Sequence, residues 1–267
     1  MDVALSKNGA RVLRAFFFVV VVFLYAPIVI LLIFSFNDSA IPTFPLSGFT
    51  FRWYRAFLEN GDLRSALETS AIVAALSSLG AVVLGVLASL ALRRGFRGRA
   101  AVSALLLSPL VIPYLVFGIA LLLLFHQLGV PRSLLTVVIG HVVISLPYTI
   151  LVIVPRLDQV DPVLEEAAFD LGASRLRTFR SITLPLILPA VVSAFLIAFT
   201  TSFDEYAVAS FVVGPRVTFP IYLYSALRFP NQLPQVIAVA VVVLVLSLTV
   251  VIAAELGRRL AERRFAG

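Results

Sequence analysis

The sequence predicts an all-α, polytopic membrane protein with six transmembrane helices, on three observations. Apolar residues form 61% of the chain against 13% charged ones, and the mean hydropathy is +1.06. Soluble domains balance nearer ~45–50% apolar and ~25% charged. The apolar residues gather in six runs of about 20, the length that crosses a hydrocarbon core. None of the runs alternates with period two as barrel strands do, and the helix is the other structure that satisfies its own backbone in lipid. With no cysteine in the chain, disulfides and thiolate-held metals are excluded.

The first run, Ala15–Phe36, follows Lys7, Arg11 and Arg14. A secretory signal begins the same way, but its apolar region is only ~7–15 residues long, so this run is read as a retained helix. The second run is Ser65–Leu92. The third, Ala100–Phe125, holds Pro109 and Pro113, which predict a kinked or broken helix of the kind that lines a cavity. The fourth, Ser133–Pro155, places His141 and Ser145 one turn apart near Pro147 and Tyr148. Such a pair more often hydrogen-bonds between helices than touches a substrate. The fifth and sixth runs are Pro185–Val213 and Gln235–Leu256. Gly80, Gly85 and Gly118 are positioned to let helices approach closely.

Basic residues set the orientation. Lys7, Arg11 and Arg14 precede run one; Arg93, Arg94, Arg97 and Arg99 lie between runs two and three. Arg156, Arg175, Arg177 and Arg180 separate runs four and five, and Arg258, Arg259, Arg263 and Arg264 follow run six. If every run spans, these residues, 15 of the 21 Lys and Arg, share one side, which the positive-inside rule makes cytoplasmic, with both termini. The net charge of +7 is thereby a topology signal, and no nucleic-acid partner is needed to explain it. The expected organisation is one transmembrane domain over 1–267, with outer loops at 37–64 and 214–234 and a cytoplasmic loop at 156–184. Trp53 and Tyr54 in the first outer loop read as interfacial anchors, with ligand contact as the alternative.

The cytoplasmic loop contains EEAAFDLGASRLRTFRSITLP at 165–185, a polar stretch that predicts two short helices. Asp161 is an N-cap with Pro162 at the first helical position, and Glu165 and Glu166 sit favourably in that helix's dipole. Ala167, Ala168 and Leu171 form a small apolar face, and Gly172 suits the left-handed residue that ends a helix. Ser174 caps the second helix, in which Leu176, Phe179 and Ile182 recur every three residues, and Pro185 enters run five. A small apolar face flanked by charge is a docking element. It lies either on the membrane surface or against a protein partner, and Glu165, Glu166 and Asp170 would repel anionic headgroups.

The spacing Glu166-Ala167-Ala168, three residues, Gly172, nine residues, Ile182-x-Leu184-Pro185 resembles the signature of binding-protein-dependent ABC importer permeases. The resemblance implies a type I ABC importer permease (MetI-like) fold in a bacterial inner membrane. It also implies that the loop is a coupling helix seated in a cytoplasmic ATPase dimer. Glu165, Glu166, Ala167, Ala168, Asp170, Gly172, Ala173, Leu176, Phe179, Ile182, Leu184 and Pro185 are the coupling residues this assigns. The mechanism implied is alternating access, in which ATP binding closes the ATPases and moves the coupling helices. This chain has no phosphate-binding GxxxxGK[ST] loop and its only lysine is Lys7. No cofactor is therefore expected on it, and ATP and Mg belong to the partner ATPase.

SFND at 35–38, WY at 53–54, FRGR at 96–99 and SFDEYAVASFVVGP at 202–215 are similar to the second permease of spermidine/putrescine-type importers. Those importers add a sister permease and a periplasmic substrate-binding protein. The pathway residues implied are Asp204, Glu205 and Tyr206, with Trp53, Tyr54, Tyr114 and Tyr148. Asp204 and Glu205 interrupt an apolar run, where acids usually face a bundle interior. The alternatives are an ion pair with an arginine of the partner subunit or a solvated acid at the outer rim. Neighbouring helix positions differ by ~100°, so one of the pair is expected to face the pore. The cargo implied is a small cationic amine such as a polyamine. Leu110, where that subfamily carries aspartate, leaves opines, aminophosphonates and amino-acid derivatives as alternatives. The rival classes are a membrane-embedded enzyme and a receptor or scaffold. For the enzyme, this chain lacks an HExxH spacing or a second intramembrane aspartate on another span, and a receptor or scaffold has no need of the coupling signature.

Overall fold

The computed structural model describes residues 7–39, 41 and 43–265. Of the expected 1–267 domain, residues 1–6, 266 and 267 lie outside the described residues, as do 40 and 42 of the first outer loop. The described chain groups into two compact units.

One unit takes in α1 (Lys7–Phe34), α2 (Arg52–Glu59) and the chain from Ser225 to Ala254, which includes much of α12 (Leu233–Phe265). α1 carries the most apolar candidate span, Gly9–Phe34. The chain leaving it turns back on itself. Asn37 bridges Phe49, and the Asn37 side chain accepts from the Ser47 amide at 3.0 Å. α2 is tied to this turn by polar atoms. Trp53 Nε1 donates to the Asn37 carbonyl at 2.8 Å, and the Tyr54 hydroxyl donates to Ser35 Oγ at 2.7 Å.

The other unit runs from Asp62 to Tyr224 and is built around α6 (Leu134–Asp158). α3 (Gly61–Arg93) packs parallel to α6: Ser77 Oγ donates to the Val138 carbonyl, Gly80 faces Val142 and Gly85 faces Thr149. A stripe of small buried residues on α3, including Ala74, Ser77, Ser78, Ala81 and Gly85, permits this approach. A Cβ at Gly80 would come within 2.9 Å of Val142 Cγ2, so glycine is required there by space. α9 (Leu184–Phe203) packs antiparallel to α6, with Ile187 beside Ile153 at one end and Ser202 beside His141 at the other. Two apolar clusters result, one around Val137, Ile144 and Val208, the other around Ile153, Leu157 and Ile187.

The third run is broken, as Pro109 and Pro113 predict. α4 (Arg99–Leu107) ends in a tight turn at Ser108–Leu110, and α5 (Tyr114–Gln127) leaves it at 103°. Pro113 has no N–H for a continuing ladder, and its extended ψ of 128° turns the chain. Counting this bent pair as one span, six apolar segments among the described residues have the length to cross a membrane, as expected.

The end of run five differs from the sequence reading. Run five does not continue as helix to Val213: α9 stops at Phe203, and α10 (Ala207–Val212) starts afresh after Asp204–Tyr206. The cause is chemical, because the Glu205 side chain captures the first amides of α10 that a continuous helix would bond to its own carbonyls. The second outer loop, too, is ordered in part as α11 (Phe219–Ala226).

Candidate functional site

At the break between α9 and α10, two adjacent carboxylates have opposite environments. Glu205 is 6% exposed. Its Oε1 accepts from the Val208 amide at 2.8 Å, and its Oε2 accepts from the Ala209 amide at 3.0 Å. Oε2 also lies 3.1 Å from His141 Nε2, and His141 Nδ1 lies 2.7 Å from Ser202 Oγ. The fully buried imidazole thus joins α6 to both sides of the break, which is the interhelical role read for it in the sequence. Its neighbour Ser145 is buried, and its hydroxyl has no partner among the described residues. Asp204 is exposed, and among the described residues its carboxylate has no hydrogen-bond or ion-pair partner. The next residue, Tyr206, stacks on Tyr224 with ring centroids 4.1 Å apart and planes at 20°. An exposed carboxyl group and a stacked aromatic pair thus lie two residues apart along the chain, group types that recognise an ammonium.

Tyr114 opens α5 just past the elbow and its hydroxyl lies 3.1 Å from that of Tyr148 on α6. Tyr114 packs on the cluster containing Val208 and Ala209, whose amides Glu205 holds. The structure therefore gathers Tyr114, Tyr148 and Glu205 around one outer core. Trp53 and Tyr54 belong to the other unit, and each uses its polar atom on that unit's own turn.

The caps of the segment after α6 form as predicted, but only the first of its two expected short helices is separate; the second is the start of the next long helix. α7 (Pro162–Asp170) begins with the Asp161 side chain accepting from the Val163 amide at 3.0 Å. Gly172 takes φ +81°, and Ser174 caps α8 (Arg175–Thr178). A wider π turn at Phe179–Thr183 then leads without interruption into α9, making one 29-residue apolar helix, Arg175–Phe203. The wider turn accommodates Pro185, which has no N–H and whose ring crowds the preceding turn. Glu166, Ala167, Asp170 and Leu171 are exposed, Leu171 by 89%. Val163, Leu164, Phe169 and Leu176 are exposed as well, whereas Ala168, Ala173, Phe179, Ile182 and Leu184 are half-buried. Glu165 points the other way: its Oε1 lies 3.2 Å from Arg93 Nη1 at the end of α3 and accepts from Thr183 Oγ1 at 2.6 Å.

The profile of the family described as "Binding-protein-dependent transport system inner membrane component" matches residues 81–262, a stretch that begins in α3 and takes in α7 and α8. The chain belongs to this family. It is an inner-membrane permease subunit of the ABC importer class. The putrescine transport system permease protein PotI of Escherichia coli is 40% identical to the permease over 231 residues, 83% of this chain and 82% of its own length. The spermidine/putrescine transport system permease protein PotC of Escherichia coli is 38% identical over 249 residues, 92% and 94% of the two chains. That of Haemophilus influenzae is 39% identical over 247 residues, 91% and 95%.

Among solved structures, a bacterial ABC transporter involved in import of the acidic polysaccharide alginate superimposes with a TM-score of 0.74 at 14% identity, over 94% of this chain and 98% of that one. The MetNI methionine ABC transporter gives 0.60 at 18% identity, over 74% and 94%. These likenesses are of fold. Three residues of the permease's sites carried no site role in the sequence reading, Ser202, Tyr224 and Thr183, and Arg93 counted there only as an orientation charge. Each gains its role from a neighbour on another element, which no local pattern encodes.

Proposed function

We propose that the permease forms half of the translocation pathway for a small cationic amine of the polyamine class. The observation that carries this reading is Asp204, an exposed carboxyl group at the α9–α10 break with no partner among the described residues, two positions before the Tyr206 that stacks on Tyr224. The names of the most similar relatives, for putrescine and spermidine/putrescine, support the same cargo class. A diamine is recognised by a free carboxylate for its charge and an aromatic face for its ammonium and methylene groups. Tyr114 and Tyr148, at the elbow of the broken span, complete the polar lining. Glu205 fixes the break and presents Asp204 without itself meeting cargo.

The assembly consists of this chain, a sister permease, a cytoplasmic ATPase dimer and a periplasmic binding protein. ATP and Mg are held by the ATPase chains. The exposed face of α7, with Glu166, Ala167, Asp170 and Leu171, is the ATPase seat. ATP-driven closure of the ATPases moves α7, and the pathway opens outward to receive cargo from the binding protein. Leu110, an apolar residue 38% exposed at the elbow, favours a second reading with a less highly charged amine. Uptake by proteoliposomes holding the full importer tests the cargo site. Asp204→Asn is expected to lower putrescine uptake at limiting concentration by about tenfold, the loss of one charge-assisted contact of about 1.5 kcal/mol. Assembly should be intact. Unchanged uptake overturns the assignment of Asp204, and preference for a neutral amino compound overturns the polyamine class.

A further inference from the structure

We propose that Glu165 is a positioning residue that carries the movement of α7 to two membrane helices at once, and that it lies outside the ATPase seat. This rests on the reading of α7 as that seat. The helix has two unlike sides. Its outward residues Val163, Glu166, Ala167 and Asp170 are exposed and carry no tertiary polar contact. Glu165 is turned inward, its side chain 26% exposed, and one oxygen of its carboxylate meets two groups from two elements.

The first group is Arg93, in the last turn of α3. Its Nη1 lies 3.2 Å from Glu165 Oε1, and its Nη2 donates to the Val160 carbonyl at 2.8 Å, at the chain entry to α7. A planar guanidinium bonded along two directions holds the start of α7 in position as well as in charge. Both ions also suit their places, an acid in the first turn of one helix and a base in the last turn of another. The second group is Thr183, 2% exposed, which closes the π turn at Phe179–Thr183 and whose hydroxyl donates to the same Oε1.

The consequence is mechanical. α7 has few other polar ties to the bundle, so a force on its outer side passes through Glu165 into α3 and into the Arg175–Phe203 helix together. The first of these packs along α6, and the second ends at Asp204. The π turn lies where the load enters, and single π turns are the places where a helix readjusts its register. Without the shared oxygen, α7 would still offer its outer face to an ATPase but would move without the helices behind it.

The test uses the full importer in proteoliposomes with putrescine, reading ATP hydrolysed per substrate imported and the amount of ATPase that co-purifies. Glu165→Ala, which removes the shared acceptor, is expected to retain the ATPase while raising ATP per substrate about fivefold, within the range by which network residues alter coupling. Arg93→Met/Glu165→Ala is expected to fall short of the sum of the two single defects, since both remove the Arg93–Glu165 contact. Thr183→Ser keeps the hydroxyl and should match the unaltered protein, whereas Thr183→Val should share part of the Glu165→Ala defect. An unchanged ratio in Glu165→Ala overturns the proposal, and so does loss of bound ATPase, which would put Glu165 in the seat. If Glu165→Ala does not accumulate in the membrane, the two Thr183 variants decide: equal ratios overturn the proposal and unequal ones sustain it. Retention of ATPase by Glu166→Lys would instead overturn the seat on α7, a separate outcome from any of these.

Discussion

Replacing Glu205 by alanine should unsettle the protein far more than replacing Asp204, although the two acids are neighbours in sequence. Glu205→Ala leaves the Val208 and Ala209 amides and His141 Nε2 without their acceptor in a buried site. Each buried amide left unsatisfied costs at least about 1 kcal/mol. An interhelical bond in a membrane bundle adds about 0.6–1.7 kcal/mol. The sum is about 3 kcal/mol, which for a chain of this size lowers the thermal midpoint by about 6–12 °C. Asp204→Ala removes an exposed side chain with no partner and should stay within about 0.5 kcal/mol. Glu205→Gln, which keeps one acceptor oxygen, should fall between them. Thermal unfolding of the purified importer, followed by loss of soluble complex, makes the comparison. Equal midpoints for the two alanine variants would refute the split into an anchoring acid and a free one.

Two further substitutions test the scaffold and the ATPase seat. Gly85→Leu drives a side chain into Thr149, whose hydroxyl donates to the Ala81 carbonyl at 3.1 Å. Overpacking of this kind costs about 1–3 kcal/mol, so membrane yield and thermal midpoint should both fall, whereas Gly95→Ala, with no atom within 4 Å of the new Cβ, should change neither. Gly172→Val forces a branched side chain into a left-handed backbone at φ +81°, a strain of about 1–2 kcal/mol. Relief of that strain reorients α7 against α8, and the measured result should be less ATPase co-purified per permease.

The spans, the elbow and the caps were legible because each rests on local chemistry. Pro109 and Pro113 announce a broken ladder whatever surrounds them, and Asp161, Gly172 and Ser174 cap through their immediate neighbours. The end of run five was not legible, because hydropathy sees the apolar Ala207–Val213 as a continuation of the helix. Only the fold shows Glu205 bonding to the amides of that segment. The same holds for Asp204 and Glu205. Their ~100° separation on a helix predicts that they diverge, but the choice of Glu205 as the buried one depends on His141, sixty-four residues away. Glu165 and Glu166 form a similar pair: the motif groups them, and Arg93 and Thr183 separate them.

The helix Arg175–Phe203, 29 residues without interruption, is about 43 Å long and outruns the ~30 Å hydrocarbon core. On the proposed reading of α7 as the ATPase seat, it is a lever with one arm on the cytoplasmic side. A tilt of about 5° around its middle carries its two ends about 2 Å in opposite directions. Ångström-scale displacement beside Thr183 thereby becomes ångström-scale displacement beside Asp204, with no unfolding in between. The chain needs no hinge inside the bilayer to connect its inner surface with its outer one.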